Sequence, residues 1–343
     1  MANYSINQPS AHFQVEKYAG TGSAHNPVFD GPANLQPDFI WIKETDSNSY
    51  SNILTNTTRG LTKYIYTDST QAEQTNSNRV GGADTDGFGV GTASDVNNNG
   101  NNYVAMCWKG NGGTNATNTV GQRTSLVQAN TTAGFSIVQF NDGGSSGQTV
   151  GHGLGAIPSF FMAKQLGSTS GWYGMFPSIY GGNQSSGVNT TDSFGTVSGF
   201  SSFTSTTFVS GQSASADHIC YMWKPIRGFS AFGTYKSNNN ADGPKIFTGF
   251  RPAFIILKMA SAGTHWRYYD HKRDGFNPEN NYLRMNVTNG ENTAANSELE
   301  IHSNGFKLTN AEGDINYNTE NVLYAAWAEL PQVFTDGIPV QAR

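Results

Sequence analysis

Apolar residues occur along this chain in short runs, separated by clusters of Gly, Asn, Ser and Thr. Runs such as Phe254-Ile255-Ile256-Leu257 are apolar at every position rather than at alternate ones. That pattern marks a central strand buried on both faces, whereas a half-exposed strand alternates. Asp86-Gly87-Phe88 and Asn304-Gly305-Phe306 place turn residues directly before an aromatic, a hairpin signal. Asn97-Asn98-Asn99-Gly100 turns the chain into another apolar run. No segment sustains apolar residues at i, i+3, i+4 and i+7 between caps, which predicts almost no helix beyond single turns. The expected fold is all-β, in the manner of sandwiches or jelly rolls.

The pattern is written three times. Pro-x-Phe-x-x-x-Lys occurs at Pro37 to Lys43, Pro158 to Lys164 and Pro252 to Lys258. Pro suits the start of a strand because it lacks the N–H that a ladder interior uses. Phe13, Phe135 and Phe229 precede these prolines by 24, 23 and 23 residues. An apolar run ending in Trp follows each: Tyr103 to Trp108, Ile219 to Trp223 and Leu323 to Trp327, with Pro-to-Trp spacings of 71, 65 and 75. The first and third copies share more, since Tyr64 to Gly87 and Tyr282 to Gly305 both span 23 residues. Repeats at near-constant spacing predict one unit stacked several times. The expected boundaries are 1–118, 119–226 and 227–343, three tandem β-sandwich domains. Lys224 to Gly228 is a short joint that predicts close packing of the second and third. Gly110 to Asn118 reads as a mobile Gly/Asn/Thr-rich linker.

Composition agrees. At about 100–150 residues per domain, 343 residues give two or three domains. Charged residues are 13% and aromatics 12%, which excludes a disordered chain. The net charge of −5, without a basic run, provides no footprint for nucleic acid. No apolar stretch approaches the ~20 residues that span a bilayer. Met1 to Gln14 lacks the basic-then-apolar signature of a signal peptide, so folding in a cytoplasm is expected and the Asn56 and Asn286 sequons should carry no glycan. Cys107 and Cys220 sit in apolar runs of different repeats and read as reduced, buried thiols.

Few residues suggest chemistry. In Glu298-Leu299-Glu300-Ile301-His302, alternation puts Glu298, Glu300 and His302 on one face. Paired carboxylates serve glycoside hydrolysis, but the other two copies have no matching pair and a solvated outer face explains this one. Asp95-Val96-Asn97-Asn98-Asn99-Gly100 matches the first half of a calcium loop. Position 12 would be Met106, which cannot ligate a hard cation, so an Asn-rich turn is expected. His265 to His271 holds Trp266, Tyr268 and Tyr269, and Trp172 to Phe176 is its counterpart in the second copy. Exposed, these aromatics could stack a sugar ring; buried, they make a strand. No zinc spacing, Gly-x-Ser-x-Gly elbow or phosphate loop occurs in the sequence.

Several motifs resemble a domain of tailed-bacteriophage structural proteins, especially marine and cyanobacterial ones. They are Gln36 to Lys43, Thr58-Arg59-Gly60 and Asp86-Gly87-Phe88 in the first copy. Ala129 to Val138 and Val150 to Gly155 carry it in the second. Ser303 to Leu308, Ala325 to Pro331 and Gly337 to Arg343 carry it in the third, and the last implies that the chain is complete downstream. The resemblance implies concanavalin-like sandwiches in tail-fibre or other tail-associated components, with no catalytic residues to carry over. The second copy departs from it, lacking a clear Asn/Asp-Gly-Phe turn and ending in Lys224-Pro225.

The sequence thus predicts a non-enzymatic virion structural protein, made in the host cytoplasm and exposed on the particle as a tail-fibre-like appendage or capsid decoration. Its expected partners are other capsid or tail proteins and further copies of itself. No cofactor, metal, nucleic acid or membrane insertion is expected. An alternative is a module that recognises host-surface glycan through Trp172, Trp266, Tyr268 and Tyr269. A third reading is a sugar-cleaving depolymerase built on Glu298 and Glu300.

Overall fold

The computed structural model describes residues 6–293 and 298–331, and Gly337 to Arg343 lie outside them. The described chain is nearly all β. Its helices are the single turns Ser94–Asn97 and Pro177–Tyr180 and the 3-10 turn Pro9–Ala11.

Each repeat builds one large antiparallel sheet with the same strand order. In repeat 1 the opening strand Phe13–Ala19 pairs with the closing strand Asn102–Trp108. The Pro-led strand Phe39–Glu44 follows, then Ile53–Asn56, Lys63–Tyr66 and Gln74–Thr75. Repeat 3 repeats this order with Ser230–Lys236, Asn321–Trp327, Phe254–Met259, Arg267–Asp270, Asn281–Arg284 and Asn292–Thr293. Repeat 2 has Phe135–Asn141, Asp217–Trp223, Phe160–Gln165, Trp172–Met175, Gln184–Ser186 and Gly195–Thr196. It adds Ser125–Asn130 and Ala116–Asn118 outside its opening strand.

A small second sheet packs on one face of each large one. In repeat 3, Phe306 and Ile301 of the small sheet meet Ile255 and Leu257 in one buried cluster. Phe88 and Val90 do the same with Ile40 and Ile42 in repeat 1, and Phe208 and Val150 with Phe161 and Ala163 in repeat 2. The turn signals act here. Gly87 and Gly305 follow two-residue turns, and a Cβ would lie 2.2 Å from the Pro27 carbonyl oxygen or 1.9 Å from that of Ile246. Only glycine permits that approach. In repeat 2 the longer loop 202–206 replaces the two-residue turn, and Phe208 takes the place of Phe306.

The opposite face of every large sheet is buried too, against the other two repeats. Trp108, Trp223 and Trp327 meet at the centre with ring centroids 5.2–5.7 Å apart, each pair edge to face. Such pairs contribute ~0.5–1.5 kcal/mol each beyond the area they bury. Their indole N–H groups find no oxygen or nitrogen acceptor, and edge-on packing leaves neighbouring ring faces as weak ones. Phe39, Phe160 and Phe254 surround them in the same cluster. This explains why the Pro-led runs are apolar on both faces: Phe39–Glu44 and Phe254–Met259 are buried at all positions. One face serves the repeat and the other serves the ring.

The motif lysine closes the ring. Lys43 donates to the Thr288 carbonyl of repeat 3 at 2.9 Å, Lys164 to that of Thr70 in repeat 1 at 3.1 Å, and Lys258 to that of Thr191 in repeat 2 at 3.3 Å. Each also bonds a carbonyl of its own repeat, Tyr50, Ser170 or Thr264. The residues paired opposite reach the same way. Trp172 Nε1 donates to the Tyr66 carbonyl, Trp266 Nε1 to Gly187, and Asn52 Nδ2 to Arg284 and Val287. Every repeat therefore grips its predecessor and the first grips the last, a closed head-to-tail arrangement.

Three details differ from the sequence reading. Ser230, not Phe229, pairs with Trp327, so the opening strand of repeat 3 starts one residue later than the Phe spacing suggests. Ala116–Asn118 pairs with Ser125–Asn130 and so belongs to the sheet of repeat 2, although the boundary at 118 assigns it to repeat 1. Gly110 to Asn118 is also pinned rather than loose. The N–H groups of Gly110, Gly112 and Gly113 all bond the Asp38 carboxylate at 2.6–2.8 Å. The second and third repeats do pack closely across Lys224 to Gly228, with Trp223 against Trp327 at 5.7 Å. Cys107 and Cys220 are free, buried thiols, pushed well above their ordinary pKa by burial.

Two predictions follow from the shared core. Trp223→Ala should cost ~3–5 kcal/mol in chemical denaturation, and calorimetry should give one transition for all three repeats rather than three. The second concerns pH. Burial pulls Lys43, Lys164 and Lys258 from the usual 10.5 down to about 8. Below pH 8 each is charged both folded and unfolded. Between about 8 and 10.5 only the unfolded chain keeps the proton, so this group adds stability as pH rises. From pH 8 to 10, wild type should gain on Lys164→Met by up to about 1.4 kcal/mol per pH unit. A gap that does not change with pH would disprove the role assigned to this lysine.

Candidate functional site

The aromatic residues singled out by sequence lie in the interior. Trp266, Tyr268 and Tyr269 are fully buried and Trp172 nearly so. Trp266 packs on Phe176 and Phe194, and Tyr268 on Trp41 and Phe254. The Tyr268 hydroxyl donates to Asn52 and that of Tyr269 to Glu298. Their ring faces are taken up by protein, so none can stack a sugar. They serve the seams between repeats and the core of repeat 3.

The acids separate as well. Glu298 is buried, bonded by Arg267 at 2.8 Å and Tyr269 at 2.6 Å. Burial raises its pKa, and Arg267 opposes the rise. Glu300 lies on the half-exposed face beside His302 at 3.3 Å, opposite the buried Leu299 and Ile301. Alternation therefore holds within Leu299–His302 but not for Glu298, which precedes the strand and turns inward. Asp95 pairs with Arg79 rather than opening a calcium loop, and Met106 is core. Among the described residues no group of three His, Cys, Asp or Glu could hold a metal ion.

A groove of about 640 Å³ opens on repeat 2 beside Thr70 of repeat 1, inside the ~300–1,000 Å³ range of ligand sites. It lies on the small-sheet side of strands Trp172–Met175, Gln184–Ser186 and Gly195–Thr196. The pairing register explains it. Ser185 occupies the position held by Tyr64 in repeat 1 and Tyr282 in repeat 3. In those repeats a guanidinium covers the tyrosine ring, Arg79 at 3.9 Å from Tyr64 and Arg267 at 4.0 Å from Tyr282. Each Arg is then fixed by carboxylates, Asp95 in one case and Glu298, Glu312 and Asp314 in the other. Repeat 2 has serine in place of the tyrosine, and Tyr173 stands at the position of Arg267. The space that an Arg–Tyr plug fills elsewhere is open.

The groove wall is uncharged apart from Asp192, whose carboxylate accepts from the Thr190 hydroxyl at 2.8 Å. Tyr173 is half-buried, its hydroxyl accepting from Gln212 at 3.1 Å. His218 closes the base. Burial lowers its pKa although Asp142 opposes this, so the ring is neutral at pH 7. Burial tends to raise the Asp142 pKa, but the N–H groups of Gly144, Ala214 and Ala216 and the His218 ring outweigh it and hold it low. The described lining offers amides, hydroxyls and the aromatic residues Trp172 and Tyr173. It has neither the paired carboxylates of a glycosidase nor a cation for a phosphate.

The plug itself is testable. Arg267→Leu strands the buried Glu298 carboxylate and should cost ~3–5 kcal/mol in urea denaturation. A loss under 1 kcal/mol would show that the network is not held as described.

No helix among the described residues is long and apolar enough to cross a membrane. No curated protein and no solved structure matches the chain. Residues 8–331 match a family described as a domain of unknown function, DUF7483, and that span runs through all three repeats. The chain therefore belongs to the DUF7483 family, whose unit here is the whole ring rather than one sandwich.

Proposed function

We propose that this protein is a non-enzymatic structural component on the exterior of a tailed-bacteriophage particle, as a tail-fibre-like appendage or a capsid decoration. The observation that carries this reading is the closed ring itself. Its large sheets are buried on both faces, and several of its charged groups hold the packing together. Lys43, Lys164 and Lys258 clasp carbonyls, while Arg267 and Glu298 plug a core. Such a body presents polar Asn/Ser/Thr loops to neighbours and resists local opening. The motif resemblance to phage structural proteins points the same way. Its partners on this reading are other capsid or tail proteins and further copies of itself.

A second reading, recognition of host-surface glycan, is favoured by the groove on repeat 2, which Trp172 helps to line, and not by the buried Trp266, Tyr268 and Tyr269. The two are compatible, since an exterior particle protein can carry a receptor site.

Mass spectrometry of purified particles from the source is expected to detect the chain at a fixed copy number. Electron microscopy at subunit resolution should place rings of three sandwiches on the outer surface. Absence of the protein from purified virions overturns the structural reading.

A further inference from the structure

We infer that the groove of repeat 2 is a binding site for a neutral carbohydrate, and that it arose where this repeat lost the Arg–Tyr plug kept by the other two. The inference rests on the glycan reading above and gives it a location and a ligand class. Three independent features of the groove converge on it.

The first is the origin of the space. Tyr64 and Tyr282 with their stacked arginines occupy one equivalent place in repeats 1 and 3, and Ser185 leaves that place empty. A repeat that had merely drifted would be expected to refill it with apolar side chains, because unfilled core space is costly. Here the vacated volume keeps Ser185, Gln165, Gln212 and Asn189 in its lining beside apolar surface of Trp172, Tyr173 and Val197, and it opens to solvent.

The second is hydrogen-bond chemistry. Asn189 lines the groove and uses its side-chain oxygen on the Trp172 N–H at 2.9 Å, which leaves its amide nitrogen as a donor. Gln212 uses its nitrogen on Tyr173, which leaves its oxygen as an acceptor. Gln165 accepts from Ser170 at 2.8 Å and keeps its nitrogen as a donor. The wall therefore offers both donors and acceptors on side chains already held by the protein. A sugar hydroxyl both donates and accepts, so a polyol is the ligand such a wall suits. The half-buried Tyr173 ring adds an apolar surface for the C–H face of a pyranose.

The third is charge. The described lining carries Asp192, a neutral His218 and no Lys or Arg side chain. Lys164 lies nearby, but its ammonium is turned onto the Thr70 and Ser170 carbonyls. Uronic acids, sialic acids and phosphorylated sugars would face Asp192 without a counter-charge. The groove thus selects against them.

The experiment uses the full chain on an array of neutral and acidic oligosaccharides, followed by calorimetric titration with the strongest neutral hit. Wild type is expected to bind neutral glycans. Ser185→Tyr restores the residue of the other repeats and should weaken binding at least tenfold with the thermal midpoint unchanged. Gln212→Ala, which leaves the strands intact, should also weaken it and serves if the first variant does not fold. Binding to no array glycan, binding to acidic glycans alone, or affinity unchanged in both variants overturns the inference. None of these results touches the particle-exterior reading, which particle composition decides separately.

Discussion

Everything in this molecule depends on burying both faces of each large sheet. A sandwich of one large and one small sheet satisfies only one face. The other carries Trp, Phe and Met side chains that water would meet if the repeat stood alone. Three such faces turned toward one centre remove that surface from water, and hydrophobic burial is the dominant favourable term in folding. The three tryptophans are the residues common to all three contacts. The ring is thus the folding unit, and the family match over residues 8–331 has the same extent.

Polar groups at the seams give this association its direction. A purely apolar centre would tolerate sliding and alternative registers. The lysine ammonium must find carbonyl oxygens once buried, because an unpaired buried charge is prohibitive. Each seam supplies them at one equivalent threonine: Thr288, Thr70 or Thr191. The accompanying side-chain N–H of Asn52, Trp172 or Trp266 adds a second fixed point. These bonds add little net stability, but their loss would leave buried groups unsatisfied.

Much of the fold was legible because it follows local rules. The Pro-led runs, the Gly-Phe turns and the Trp-ended strands each state their own geometry. The triplication was readable for the same reason. What local patterning leaves open is which partner buries the second face, since Phe254 to Leu257 reads alike against a helix, a sheet or another repeat. The site was less legible. Trp266 and Tyr268 look like a sugar platform in sequence, but their strand faces a seam, and no periodicity distinguishes a seam from solvent. The signal for the groove lay in a mismatch, the tyrosine present at 64 and 282 and missing from the second copy. Its meaning required the pairing register, because Ser185 aligns with those tyrosines only through hydrogen bonds.

Covalent fusion of the three repeats has a consequence for stoichiometry. In a trimer of identical subunits, any change is made three times, so a loss of packing is tripled and a new cavity appears at every subunit. Here one sandwich can trade its internal filling for an opening while the other two keep theirs. Of the three equivalent places, two hold their Arg–Tyr pair and the one at Ser185 is open. On the proposed reading of the groove, avidity toward a repetitive surface comes from the number of rings displayed together and their spacing, not from symmetry within one.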